Sequence, residues 1–128
     1  VVDPWNELEH MRPRHQSETE YISEALSKFR RFAIAHQVHI WIVAHPTKLR
    51  RLDDGSEPVP TLYDIAGSAN FRNKADIGLS VWRDITVNDS RVEVHITKVR
   101  YADQGKLGAI RFAYDPPTKR LTELEYAG

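Results

Sequence analysis

The feature that most constrains the fold is a short apolar run, His39-Ile40-Trp41-Ile42-Val43-Ala44, cut off at His45-Pro46. A run of this length, rich in β-branched and aromatic residues, reads as a buried strand from Val38 to Ala44. Proline has no N–H to extend a ladder, so the strand ends there. A basic stretch follows, Lys48-Leu49-Arg50-Arg51, and then a polar loop holding Asp53, Asp54, Gly55, Pro58 and Pro60. Residues 50–60 have few apolar anchors and read as mobile. Order returns at Tyr63 to Ser68, and Ile77 to Arg83 reads as the next strand. A polar residue at the tip of a buried strand, followed by a long loop, is how α/β proteins place chemistry.

Upstream of the run, Ser17 and Glu20 have the spacing of a capping box. Tyr21, Ile22, Ala25, Leu26, Phe29, Phe32 and Ala33 then recur at helical spacing, opposite Glu24, Lys28, Arg31 and Gln37. The pattern predicts a helix from Glu18 to His36. Val1 to Asp3 reads as the end of an earlier strand, stopped by Pro4. Strand, helix and strand in this order suggest a parallel βαβ unit. Asp64 to Asn73 suits one or two short helical turns. Arg91 to Lys98 alternates Val92, Val94 and Ile96, expected inward, with Glu93, His95 and Thr97. Ala109 to Tyr114 and Leu121 to Leu124 complete an antiparallel meander, with turn residues at Asn88-Asp89-Ser90 and Asp115-Pro116-Pro117-Thr118.

Several segments together resemble a known family. They are Val1-Val2-Asp3-Pro4-Trp5-Asn6-Glu7; the strand ending in His45-Pro46-Thr47-Lys48; Gly67-Ser68-Ala69 followed by Asn73-Lys74-Ala75-Asp76; and Lys98-Val99-Arg100 followed by Gly105 and Gly108. In order and spacing they resemble the RecA-type motor domain of phage and mitochondrial primase-helicases of the DnaB superfamily. The resemblance implies an α/β fold. It would be the C-terminal portion of a RecA-like P-loop ATPase core, a mixed sheet with a parallel front half and an antiparallel C-terminal meander. Residues 1–128 would form a single partial domain. The glycine-rich phosphate loop G-x-x-x-x-G-K-[ST] does not occur in the chain, and the family's upstream catalytic glutamate has no counterpart. The chain therefore reads as a piece of a larger protein that would not hydrolyse ATP alone and would hold no nucleotide tightly.

Each candidate residue also has an ordinary reading. Asp3, in the Walker B position, would orient water on Mg²⁺ beside ATP; otherwise it is an Asp-Pro turn. His45 would reach the γ-phosphate as a sensor, since imidazole can donate to phosphate oxygen; otherwise it is a surface histidine at a strand end. Lys48, Arg50 and Arg51 would meet single-stranded DNA in the pore of a hexameric ring, because backbone contacts need only charge and reach. Asp53, Asp54 and Glu57 partly cancel that charge, which suits a solvated loop. Asn73 and Asp76 would tie the DNA loop to the nucleotide site, and Gly67 suits a tight turn; Ser68 and Asp76 also suit a cap and a turn. Lys98 and Arg100 share a parity, hence a face, and would clasp the phosphate held by a neighbouring subunit. A solvated Lys-x-Arg pair is the alternative.

Composition excludes other classes. With 18 basic and 18 acidic residues the formal net charge is zero, so any contact with nucleic acid must be local. There is no cysteine for disulfide or thiolate chemistry. No run approaches a membrane span and no signal-peptide pattern opens the chain. The six histidines show no ligand spacing. The expectation is a soluble protein of a bacterial or phage-infected cell cytoplasm, part of an ATP-dependent replicative helicase. The alternatives are a RepA-like or other RecA-type ATPase without helicase activity, and a non-enzymatic α/β binding module.

Overall fold

The computed structural model describes residues 1–8, 10–84 and 90–125. These divide into two compact units. One comprises Val1–Thr47 with Leu62–Lys74, the other Lys48–Thr61 with Ala75 onward.

The first unit is built on α1, Glu18–His36. The Ser17 hydroxyl accepts from the Glu20 N–H, and the Glu20 carboxylate accepts from the Ser17 N–H at 2.9 Å and its hydroxyl at 2.7 Å. This reciprocal cap satisfies two donors that a helix start otherwise leaves open. The Ser17 hydroxyl, and then its N–H, hold the Glu20 carboxyl below the usual carboxylate range. At the other end Gln37 turns left-handed, at φ 52°, and its N–H returns to Ala33 and Ile34. One stripe of α1 buries Ile22 and Leu26, one helical turn apart, against Trp5 and Phe71. Each such side chain contributes about 1.5–3 kcal/mol on burial. The stripe stops short of its predicted end, since Phe32 is exposed.

Trp5 sits in a 3₁₀ turn, Trp5–Glu7, and meets Phe71 and Phe29 edge-on, with ring centroids 5.6 and 6.4 Å away. Its carbonyl lies 3.0 Å from His10 Nε2, which must donate there because a carbonyl only accepts. Phe71 comes from α2, Ser68–Lys74, entered through Gly67 at φ 73°. A side chain at Gly67 would collide with Ile22, so both the backbone angle and the close approach require glycine.

The predicted strand Val38–Ala44 is not a strand of the structure. It contributes one parallel bridge, Val2↔Ile42, with Val43 N–H donating to Val2 O and Trp5 N–H to Val43 O. Pro4 supplies no N–H, so the pairing cannot grow into a ladder. The parallel front half is thus a bridge rather than part of a mixed sheet.

The second unit is a meander, antiparallel throughout, in the order β1 (Ile77–Trp82), β2 (Arg91–Val99), β3 (Gly108–Asp115) and β4 (Arg120–Glu123). The bounds fall within one or two residues of the sequence expectation. Part of the expected turn, residues 88 and 89, lies outside the described residues. The alternation is present, but on β1 its burial is reversed, with Ile77, Leu79 and Val81 exposed and Gly78 and Ser80 buried, while on β2 both faces are half-buried. Val81, Val94 and Ile110 share a cross-strand row, and Val81 remains 71% exposed. The other face carries Ser80, Trp82, Glu93 and His95, with the Glu93 side chain only 12% exposed. The loop explains the reversal: Ser80 Oγ donates to the Pro60 carbonyl at 2.5 Å, bringing the end of residues 48–61 to this polar face.

Candidate nucleotide and nucleic-acid sites

In the first unit the parallel bridge brings Asp3 and His45 to the same end of the two paired segments. Both are exposed. The tip is held by hydrogen bonds from His45 and Thr47. The His45 N–H donates to Asn6 Oδ1 at 2.8 Å, and Thr47 donates to the Asp64 carbonyl from its N–H at 2.6 Å and its hydroxyl at 2.9 Å. Asn6 fixes the His45 backbone, a role the sequence reading did not assign. The available signal was the residue type, since asparagine side chains commonly bond nearby chain in turns.

Among the described residues no cluster of three or more His, Asp, Glu or Cys side chains forms a metal cage. Magnesium beside nucleotide phosphates keeps several waters and needs only one or two protein carboxylates. Asn73 also belongs to this unit, exposed on α2.

The second unit holds the basic loop. Lys48, Arg50 and Arg51 are exposed, and Arg51 lies 3.6 Å from Glu57. The loop has its own tight turn: Gly55, at φ 84°, donates to the Leu52 carbonyl, and Leu52 N–H donates to Ser56 O. Ser56 donates to Asp54 from its hydroxyl at 2.6 Å and its N–H at 2.9 Å. These bonds, the hydroxyl first, hold the Asp54 carboxyl below its usual range. Asp54 therefore stays ionised near neutral pH, and its negative charge persists inside the basic loop.

Lys98 and Arg100 lie in the same unit as the loop, in different settings. A bulge at Gly78/Leu79 shifts the β1–β2 register, so that Lys98 stands opposite Gly78. Lys98 is only 8% exposed, not the open strand residue the Lys-x-Arg pattern suggests. Arg100 follows β2. Its backbone N–H donates to Asp76 O at 2.8 Å, and its Nε lies 2.7 Å from Asp76 Oδ1.

The nucleotide candidates Asp3 and His45 thus share one unit, and the loop cations share the other with Lys98 and Arg100. The chain is similar to a plant Twinkle protein. It is 44% identical over 121 residues to the Twinkle homolog protein, chloroplastic/mitochondrial, of Arabidopsis thaliana. The match covers 92% of this chain and 17% of Twinkle. No protein-family model matches the chain. The Twinkle match corrects the expected location. A bacterial or phage-infected cytoplasm does not agree with a relative whose own name is chloroplastic/mitochondrial.

Proposed function

We propose that this chain is part of the motor of an organellar replicative DNA helicase of primase-helicase type, which couples ATP hydrolysis to movement along single-stranded DNA as a ring. The observation that carries the reading is the Twinkle match across nearly the whole chain. The paired segments ending at Asp3 and His45 support it, because exposed polar groups at neighbouring tips suit a nucleotide phosphate site. The fold reading that goes with it is the C-terminal portion of a RecA-like core.

In this reading Asp3 would hold Mg²⁺ through water, and the metal would supply charge neutralisation to the nucleotide phosphates. His45 donates to the γ-phosphate from a backbone held by Asn6 and sensitive to loss of that phosphate. Lys48, Arg50 and Arg51 meet the DNA backbone by charge, and Asn73 adds a polar contact. Arg100 stabilises the phosphate held by the next subunit, a role worth about 10³-fold or more in turnover, whereas Lys98 is buried beside it in β2.

The test uses the full-length protein and a forked duplex. ATP-dependent unwinding is expected, with Asp3→Ala abolishing it. Arg50→Ala with Arg51→Ala should weaken single-strand binding and flatten its salt dependence by about 0.7 log units per lost phosphate contact. DNA-stimulated ATP hydrolysis without unwinding would favour a RecA-type ATPase lacking helicase activity. No nucleotide hydrolysis at all would favour a binding module.

A further inference from the structure

We propose that Asp76 is the positioning residue for Arg100, setting its guanidinium before a neighbouring nucleotide arrives. The inference rests on the reading of Arg100 as a trans-acting cation and adds a residue to that site. Three contacts carry it, all within the second unit. The Arg100 N–H donates to the Asp76 carbonyl at 2.8 Å. Arg100 Nη2 donates to the Ala75 carbonyl at 3.2 Å. Arg100 Nε forms an ion pair with Asp76 Oδ1 at 2.7 Å.

The turn before β1 therefore grips Arg100 at its backbone, at the inner nitrogen of the guanidinium and at one outer nitrogen. A solvated arginine has no need of three contacts to two consecutive residues of a distant segment. An arginine that must meet developing phosphate charge does gain from them. A preset guanidinium pays no reorganisation when the charge appears, and a misplacement of about 1 Å can cost about 10²-fold in rate. The carboxylate is also suited to the task. Asp76 Oδ1 itself is covered from solvent, while the Asp76 side chain as a whole is 47% exposed and that of Arg100 29%. Lys98 differs: it is buried along the strand itself, opposite Gly78.

The experiment compares full-length proteins carrying Asp76→Ala, Asp76→Asn, Asp76→Glu, Arg100→Ala and the double substitution Asp76→Ala with Arg100→Ala. Turnover, nucleotide KM, ring assembly and melting temperature are measured for each. Arg100→Ala is expected to lower kcat by about 10³-fold. Asp76→Ala should lower kcat by about tenfold to a hundredfold with KM within about twofold of wild type, and Asp76→Glu should recover most of the loss. The double variant should turn over no more slowly than Arg100→Ala alone, because Asp76 acts only through Arg100. If Asp76→Ala does not assemble, folded rings of Asp76→Asn decide by the same kcat-against-KM split. Wild-type turnover of the Asp76 variants beside a slow Arg100→Ala would overturn the inference and leave the trans-acting cation standing. A further drop in the double variant would likewise overturn it, showing a structural role independent of Arg100. Wild-type turnover of Arg100→Ala would remove the reading beneath it.

Discussion

The two units solve the problem of holding polar residues differently. In the first, a small aromatic and aliphatic core around α1 does the holding. Trp5, Ile22, Leu26 and Phe71 are buried, and Asp3 and His45 stand exposed at the ends of segments which that core supports. In the second, polar side chains hold one another. Glu93 lies 2.8 Å from His95 Nε2 and accepts from Arg111 Nε at 2.9 Å, Asp76 holds Arg100, and Ser80 anchors the loop at Pro60. The apolar face of that sheet stays open at Val81, Leu79 and Ile110. Where the core does the holding, the tip is pinned by the Asn6 side chain and the Asp64 carbonyl, and the His45 side chain is left exposed. Where polar contacts do it, side-chain orientation is fixed directly.

The largest expected effect separates the units by burial. Leu26→Ala should destabilise the chain by about 2–5 kcal/mol, because it opens a cavity in the first unit's core. Val81→Thr, on the open face, should change stability by no more than about 0.5 kcal/mol. Urea unfolding of the two variants checks both. A large loss at Val81 would mean that the apolar face is the true core of the meander.

A smaller effect concerns pH. The Glu20 carboxyl is depressed by its bonds to Ser17, so its contribution is present above the ordinary carboxylate pKa and is lost as pH falls through its lower folded value. Acidification from about pH 5 to about pH 3 should lower the melting temperature. Glu20→Gln should make that decline shallower, and an unchanged decline would show that the cap adds nothing in solution.

What was legible in the sequence followed local rules. α1 has the predicted bounds because its cap, its 3.6-residue stripe and its terminator all lie within the segment itself. The four meander strands were legible for the same reason, through alternation and turn residues. The fate of Val38–Ala44 was not, because a strand needs a paired neighbour, and the stop read at Pro4 was not carried over to the segment that pairs with Val2. The covered polar face was hidden because it depends on the Ser80–Pro60 contact, made between residues twenty apart. At the candidate site, residue types marked Asp3, His45 and Arg100. Their holders Asn6 and Asp76 act through contacts across 39 and 24 residues, which no local pattern encodes.

The comparison carries a division of labour. In the proposed function Asp3 and His45 would serve the nucleotide of their own subunit, and Arg100 that of the next. The most direct test is ATP turnover by rings mixed from Arg100→Ala and Asp3→Ala subunits of the full-length protein. Each variant alone should be inactive. Mixed rings should regain turnover, because some interfaces then pair an intact Asp3 with an intact Arg100. If rings shown to be mixed stay as inactive as either parent while wild-type rings diluted with inactive subunits still turn over, the two residues do not act across a subunit interface and the account is contradicted.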